Sequence, residues 1–150
     1  MNLTLIAAVF ALVTMATQTM ACECQNALTP QELQQFYCSA DFVFTGRAVQ
    51  GRSSIMQNRR GERIQSRTFT YEVEDMYKGT EPSSSRIAVR FTRNRDRDTC
   101  TSYNPGCQDA SALIFASTRG RFQVQGSCRH AVPWSCVSES LRNSLSDVTC

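Results

Sequence analysis

Lysine and histidine are almost missing from this sequence. Of its 16 basic residues only Lys78 is a lysine, and His130 is the only histidine in 150 residues. Cys-x-x-Cys pairs are absent, so the chain is expected to hold neither a metal ion of its own nor another cofactor. With one histidine and no serine-nucleophile motif, it lacks a nucleophile with a matching base. The sequence therefore predicts that the protein is not an enzyme.

Apolar runs long enough to cross a membrane are absent as well. The run at residues 3–13 is much shorter than the roughly 20 residues of a transmembrane helix. It is followed by Thr19, Met20 and Ala21, with small residues where a signal peptidase cleaves. The sequence therefore predicts a signal peptide at residues 1–21 and a secreted, extracellular domain at residues 22–150, with no membrane span.

All eight cysteines lie after the predicted cleavage site. An even number in a small exported domain is typical of disulfides rather than of a metal site. Eight cysteines allow 105 pairings, so the residues alone leave the connectivity open. Cleavage after Ala21 would leave Cys22 with a free α-amino group beside its own carbonyl, on a backbone that disulfides at Cys22 and Cys24 hold rigid. Such an end is a bidentate chelator for a metal ion of another protein.

Hydrophobic patterning predicts a mainly β domain. Apolar and polar residues alternate over residues 41–50 and 66–76, as in half-buried strands. The segment between them, residues 51–65, is either a long hairpin tip or a pair of extended strand ends. Three shorter strands are predicted at residues 86–92, at residues 112–117 and from residue 122 onward.

Two helices are expected to flank the strands. Thr29 is a suitable N-cap, Pro30 suits the first helical position, and Glu32 completes a capping box. A closing helix is predicted over residues 135–148 from the spacing of its apolar residues. Five short strands with a helix on either side favour a closed five-stranded Greek-key barrel of the OB type. A β-sandwich is the alternative.

Arginines gather in the hairpin region of the first two predicted strands, opposed there only by Glu62. This positive charge predicts contact with heparan sulfate or with an acidic rim on a protease. The alternative is a solvated hairpin whose charges discourage strand pairing at its edge. OB barrels also bind single-stranded nucleic acid, but export and disulfides argue against such a partner. The arginines concerned are Arg52, Arg59, Arg60, Arg63 and Arg67.

Three motifs resemble those of one known family. They are Cys22-Glu23-Cys24 at the predicted mature N-terminus, the block Cys-Ser-Ala-Asp-Phe-Val at residues 38–43, and the turn Tyr77-Lys78-Gly79. In this order they resemble the N-terminal inhibitory domain of tissue inhibitors of metalloproteinases, a netrin-like module built on an OB barrel. The resemblance covers residues 22–150. A second domain like that of the vertebrate inhibitors is not expected.

The resemblance implies a function, a partner and a set of disulfides. The protein would be a monomeric inhibitor of zinc metalloproteinases of the matrix type, and it would contact the zinc of its target through the Cys22 amine and carbonyl. The implied disulfides are Cys22–Cys100, Cys24–Cys128 and Cys38–Cys150, with Cys107–Cys136 left over as a fourth. The implied protease-binding residues are Cys22, Glu23, Cys24, Gln25, Asn26, Asp98, Thr99 and Cys100.

Glu23 departs from the family pattern, which usually has Thr or Ser at this position. Its side chain would enter a protease pocket that is commonly apolar, and burying an unpaired carboxylate is costly. The sequence therefore predicts either a weak inhibitor or one selective for a protease with a polar or basic pocket. The alternative function is a non-inhibitory netrin-like module that binds extracellular matrix or heparan sulfate.

Overall fold

The helix and strand bounds come from a computed structural model, which describes residues 27–80, 82–94, 111–118, 124–126 and 130–150. The predicted signal peptide, the residues Cys22–Asn26 and the segment Asp98–Cys100 lie outside these ranges. The elements, in chain order, are α1 (Pro30–Ser39), β1 (Phe42–Gln57), β2 (Arg63–Lys78), β3 (Arg86–Asn94), β4 (Ala112–Thr118), β5 (Val124–Gly126), β6 (Ala131–Pro133) and α2 (Glu139–Ser144).

Helix α1 begins with the capping box that its sequence predicts. The Glu32 amide donates to Thr29 Oγ1 at 3.2 Å, and the Thr29 amide donates to Glu32 Oε2 at 3.1 Å. These bonds use two amides that would otherwise have no partner at the start of the helix. Leu33 and Tyr37 lie one turn apart and are both buried, so this face of α1 packs against the sheet.

Strands β1 and β2 form a hairpin of two 16-residue strands. Of the two possibilities for residues 51–65, the extended strand ends are correct, because Gln50 to Gln57 pair regularly with Thr70 to Arg63. The chain reverses over residues 58–62, where Asn58 Oδ1 accepts from the amides of Arg60 and Glu62, each at 2.9 Å. Gly61 has a φ of +80°, a conformation that glycine adopts without steric cost.

The six strands make a single sheet whose order is consistent with an OB barrel. Pairing runs β1-β2-β3-β5-β4, β4 also pairs with β1, and β6 adds to β4 on the same edge as β5. All pairs are antiparallel except β3 with β5. The mainly β class is confirmed, and the single sheet excludes the β-sandwich. The seam beside β5 is short among the described residues, as in a partly open barrel.

Strand β4 lies between two apolar cores. Its side chains alternate, with Leu113 and Phe115 in the core beneath the helices and Ile114 in the core enclosed by the strands. Because both faces are covered, the strand reads as a continuous apolar run rather than an alternating one. The enclosed core is rich in rings, among which Tyr71 packs against Phe44 and Phe91.

The C-terminal segment differs from the single helix predicted for residues 135–148. Residues Trp134–Cys136 form a 3₁₀ turn, Val137 is extended, and α2 begins only after Ser138. Ser138 is the reason for the late start, because its hydroxyl accepts from the Leu141 amide and caps the helix there. A second 3₁₀ turn, Leu145–Asp147, follows α2. The apolar residues of the predicted helix nevertheless face the core, since Val137, Leu141 and Leu145 are all buried.

Candidate functional site

The residues predicted to bind a protease lie outside the described ranges, so the structure describes only the chain that follows residues 22–26. Leu28 is the first buried residue after Cys22–Asn26, and it packs in the core beneath the helices. Thr29 then caps α1. The segment that carries Cys22 therefore joins a buried side chain and a capped helix within a few residues.

The C-terminal end of α1 is tied to the end of β2 by two opposed hydrogen bonds. Tyr37 Oη donates to the Tyr77 carbonyl at 2.9 Å, and Lys78 Nζ donates to the Tyr37 carbonyl at 2.8 Å. The same ammonium lies 3.4 Å from the Cys38 carbonyl and 5.3 Å from the centre of the Tyr37 ring. The last carbonyls of a helix lack partners and carry partial negative charge. The only lysine of the chain thus caps α1 from a neighbouring strand.

Cys38 and Cys150 form a disulfide, the pairing that the family resemblance implies. Their Cα atoms are 5.4 Å apart, and the bridge joins the last turn of α1 to residue 150. Gln34 Nε2 also donates to the Thr149 carbonyl at 3.5 Å. Cys136 is disulfide-bonded too, and its partner lies outside the described residues. The pairings Cys22–Cys100, Cys24–Cys128 and Cys107–Cys136 stay predictions.

His130 and Trp134 lie on the chain that follows Cys128, and both have packing roles. The His130 ring meets the Phe36 ring of α1 at 4.6 Å between centroids. Trp134 packs against the core beneath the helices, and the Arg142 guanidinium lies 4.7 Å above its ring. Arg142 also donates to the carbonyls of Val137 and Trp134, at 2.9 and 2.7 Å. These contacts connect α1, β6 and α2 on one side of the sheet.

Asp41 joins the start of β1 to the end of β4. Its Oδ2 accepts from the Thr118 amide at 2.7 Å and from the Thr118 hydroxyl at 2.9 Å. These two bonds, chiefly the one from the amide, hold the pKa of the Asp41 carboxyl below its ordinary value. The pKa of the Tyr77 phenol is instead raised, mainly by burial and also by the charge of Asp75.

The five arginines predicted to contact a polyanion are divided among three places. Opposed residues on neighbouring strands share a face of the sheet. Arg52 is opposite Thr68, whereas Arg63 and Arg67 are opposite Gln57 and Ser53 on the other face. Arg59 and Arg60 occupy the turn. The structure therefore does not bring the five to one surface, and the heparan sulfate contact stays a prediction.

The described part of the chain has neither a cluster of metal-ligating side chains nor a membrane-spanning helix. No group of three or more His, Cys, Asp or Glu side chains in this part of the chain could hold a metal ion. Nor does any helix described here have the length and apolar character needed to cross a bilayer.

The sequence motifs did not assign a role to Lys78, Arg142 or Asp41. Lys78 had a usable signal, since a single lysine among 15 arginines suggests a position that needs a compact charge. Arg142 and Asp41 had none, because their partners, Trp134 and Thr118, become neighbours only through the fold.

Comparison with known families gives a match that covers most of the chain. The model of a family described as tissue inhibitor of metalloproteinase matches residues 20–149. The matched range includes the Cys22-Glu23-Cys24 motif, the segment Asp98–Cys100 and every element described above. No curated protein matches the chain.

Proposed function

The chain belongs to the tissue inhibitor of metalloproteinase family, and from this we propose that it is secreted and inhibits zinc metalloendopeptidases of the matrix type. Members of this family are inhibitors, so the chain is not an enzyme. The family match over residues 20–149 is the observation that carries the proposal.

The proposed mechanism uses the backbone of Cys22. The catalytic zinc of a protease keeps one position open for water. The Cys22 amine and carbonyl would displace that water and chelate the metal, which blocks hydrolysis without any reaction of the inhibitor. The amine must be neutral to bind, and an α-amino group has an ordinary pKa of about 7.7–8.0, so deprotonation costs little near neutral pH.

Order in the residues that directly follow the predicted chelating end supports the mechanism. A ligand that is ordered before binding loses little conformational entropy on binding. Buried Leu28 and the capped start of α1 give order to the chain directly after residues 22–26. A disulfide from Cys22 to Cys100 would then place Asp98 and Thr99 beside the N-terminal residues, giving the protease a surface of two segments.

One added residue tests the chelation. An extra alanine before Cys22 converts its amine into an amide, which cannot bind zinc in the same way, and leaves the described fold untouched. The inhibition constant should rise at least about a hundredfold, or about 2.8 kcal/mol. Unchanged inhibition by the extended form would exclude chelation. If neither form inhibits any of several matrix-type proteases, the alternative of a non-inhibitory netrin-like module is favoured. N-terminal sequencing of the secreted protein first establishes that it begins at Cys22.

Glu23 is proposed to set selectivity. A carboxylate entering an apolar pocket without a partner costs several kcal/mol. Replacement of Glu23 by Thr should therefore strengthen inhibition of proteases with apolar pockets by up to about a thousandfold. For a protease with a basic pocket the same change should weaken inhibition. Inhibition constants for a panel of both kinds measure the effect, and equal constants for both variants throughout would show that this side chain does not enter the pocket.

A further inference from the structure

The outer half of β1, residues 49–57, has an open edge. Strand β4 pairs only with residues 42–46 of β1, and among the described residues no strand other than β2 pairs with β1 beyond them. Strand β2 in turn lies between β1 and β3 over this length. Residues 49–57 are called the open edge below.

The hydrogen-bond phase of the hairpin shows which residues of the open edge point outward. The Asn58 amide donates to the Glu62 carbonyl at 3.0 Å, which identifies residues 58 and 62 as a hydrogen-bonded pair. Bonded and non-bonded pairs alternate along an antiparallel ladder. The register has no shift between Gln50 and Gln57, so residues 52, 54 and 56 bond to β2. Gly51, Ser53, Ile55 and Gln57 therefore present their amides and carbonyls to the open side.

The open edge has little of the protection that exposed strands usually carry. Such strands are commonly shortened, bulged, or supplied with proline and charge. Here the only bulge of the segment is at its beginning, where Val49 has no partner, and Arg52 is the only charged residue. Two large apolar side chains, Ile55 and Met56, are 62% and 50% exposed and lie on opposite faces. This edge can therefore accept another strand without rearrangement.

The charge around the open edge indicates the chemistry of that strand. Exposed Arg52 lies on one side of Ile55 and Met56, and exposed Arg59, Arg60 and Arg63 lie on the other. The nearby carboxylate of Glu62 already accepts a 2.6 Å hydrogen bond from Asn58 Nδ2. A second copy of this positively charged hairpin would be repelled, whereas an acidic segment would be attracted.

We propose that the open edge binds an extended acidic segment of a partner protein by strand addition. Backbone bonds to Gly51, Ser53 and Ile55 supply affinity, as in other β-strand additions. Two adjacent apolar residues of the segment lie beside Ile55 and Met56, one on each face, and flanking carboxylates meet the arginines. This binding does not depend on Cys22 or on protease inhibition.

The proposal can be tested with a designed peptide and the full secreted protein. The probe is an acetylated and amidated octapeptide, Glu-Glu-Thr-Val-Val-Thr-Glu-Glu, titrated into ¹⁵N-labelled protein. The amides of Ser53 and Ile55 should shift and should exchange with deuterium more slowly, while the amides of residues 52 and 54, already bonded to β2, should change less. The same peptide with lysine at the four acidic positions should not bind.

Proline variants separate strand addition from simple charge attraction. Ser53→Pro removes an outward amide, a change that edge strands tolerate, and should weaken binding about tenfold or more, because one backbone bond is lost. Ser53→Ala keeps the amide and should bind like the parent. Two peptides, one with proline in place of the first threonine and one with proline in place of the second, make the same test without altering the protein. Residues three apart in a strand direct their amides to opposite edges, so one of the two peptides must lose an amide that faces the protein. The test therefore remains even if Ser53→Pro does not fold.

Three results would overturn the proposal. Equal binding of the proline-containing and parent peptides would mean that charge alone attracts them. Binding of heparin, with shifts confined to the turn and no binding of the peptide, would favour a polyanion contact instead. A dimer formed through residues 49–57, again without peptide binding, would identify a second copy as the occupant of the edge.

Discussion

The two halves of β1 have opposite environments although they belong to one strand. Residues 42–46 lie between β2 and β4, and Val43 and Phe44 belong to the two apolar cores. Residues 49–57 are exposed throughout, and within the described ranges only β2 pairs with them. The comparison shows that strand length alone does not indicate burial. The inner half stabilises the domain, whereas the outer half offers a surface on which substitutions are tolerated.

The largest difference in the loss of folding stability is expected between a substitution in the core beneath the helices and one on the open edge. Phe115 is 1% exposed and packs against the Phe36 ring, with centroids 5.7 Å apart. Phe115→Ala should lower the free energy of unfolding by about 3–5 kcal/mol, because the transfer energy of the ring is lost and a cavity is left. Ile55→Ala is the matched truncation on the open edge and should change it by less than about 0.5 kcal/mol. Denaturant unfolding of both variants measures the difference.

A comparable loss in the two variants would contradict this division. It would mean that Ile55 is covered in solution, and the oligomeric state of the parent protein would then have to be measured. The m-value should be unchanged in both variants, so that the midpoints report stability alone.

An intermediate loss of folding stability is expected when Lys78, which caps α1, is replaced. Lys78→Met keeps the length of the side chain but removes the donor, leaving the Tyr37 carbonyl without this partner. The loss should be about 1.5–3 kcal/mol, the range for hydrogen bonds that involve a charged group. Arg63→Met removes an exposed cation from the outer half of the hairpin and should cost less than about 0.5 kcal/mol. If the two variants unfold at the same denaturant concentration, the capping role of Lys78 is wrong.

The smallest expected effect is the part of the pH dependence of folding stability that comes from Asp41. Its pKa is depressed in the folded state by the Thr118 bonds. Its contribution is therefore present above the ordinary carboxyl value of 3.8 and is lost as pH falls through the lower folded value. The carboxyl is exposed, so the contribution should be only about 0.5–1 kcal/mol. Asp41→Asn removes the titrating carboxyl, so it should lower stability at pH 7 and remove this step from the acid limb, and an unaltered acid limb would contradict the assignment.

Several features of the fold could be predicted because their causes are local. The capping box at Thr29 and Glu32 involves residues three apart, so it is visible in the sequence and is confirmed. Strand alternation predicted β2 and β3 to within about three residues at each end, whereas the predicted β1 ended at residue 50 and the observed strand continues to Gln57. For residues 51–65 the pattern left two possibilities, because exposed strand residues are polar like loop residues. The pairing of β2 with β3, on the side of β2 away from β1, favours the extended strand ends over a loop.

Other features depend on contacts between distant parts of the chain. The single closing helix was wrong because apolar spacing cannot show where a helix is interrupted. Ser138 and Arg142 determine that break through a cap and through bonds to the Trp134 and Val137 carbonyls. The grouping of five arginines in the sequence suggested one charged surface. Alternation along paired strands places them on two faces and a turn instead.

The sequence by itself determined the mainly β class, the start of α1, the predicted export of the chain and the family to which it belongs. The first three depend on residue types and spacings that are read over short distances, whereas the family depends on a match along residues 20–149. Only the tertiary structure decided that Lys78 caps α1, that Asp41 bonds to Thr118, and that residues 49–57 pair with no described strand other than β2. The physical reason is that hydrogen bonds, disulfides and strand neighbours join residues far apart in the chain, so that their partners exist only once the sheet has formed.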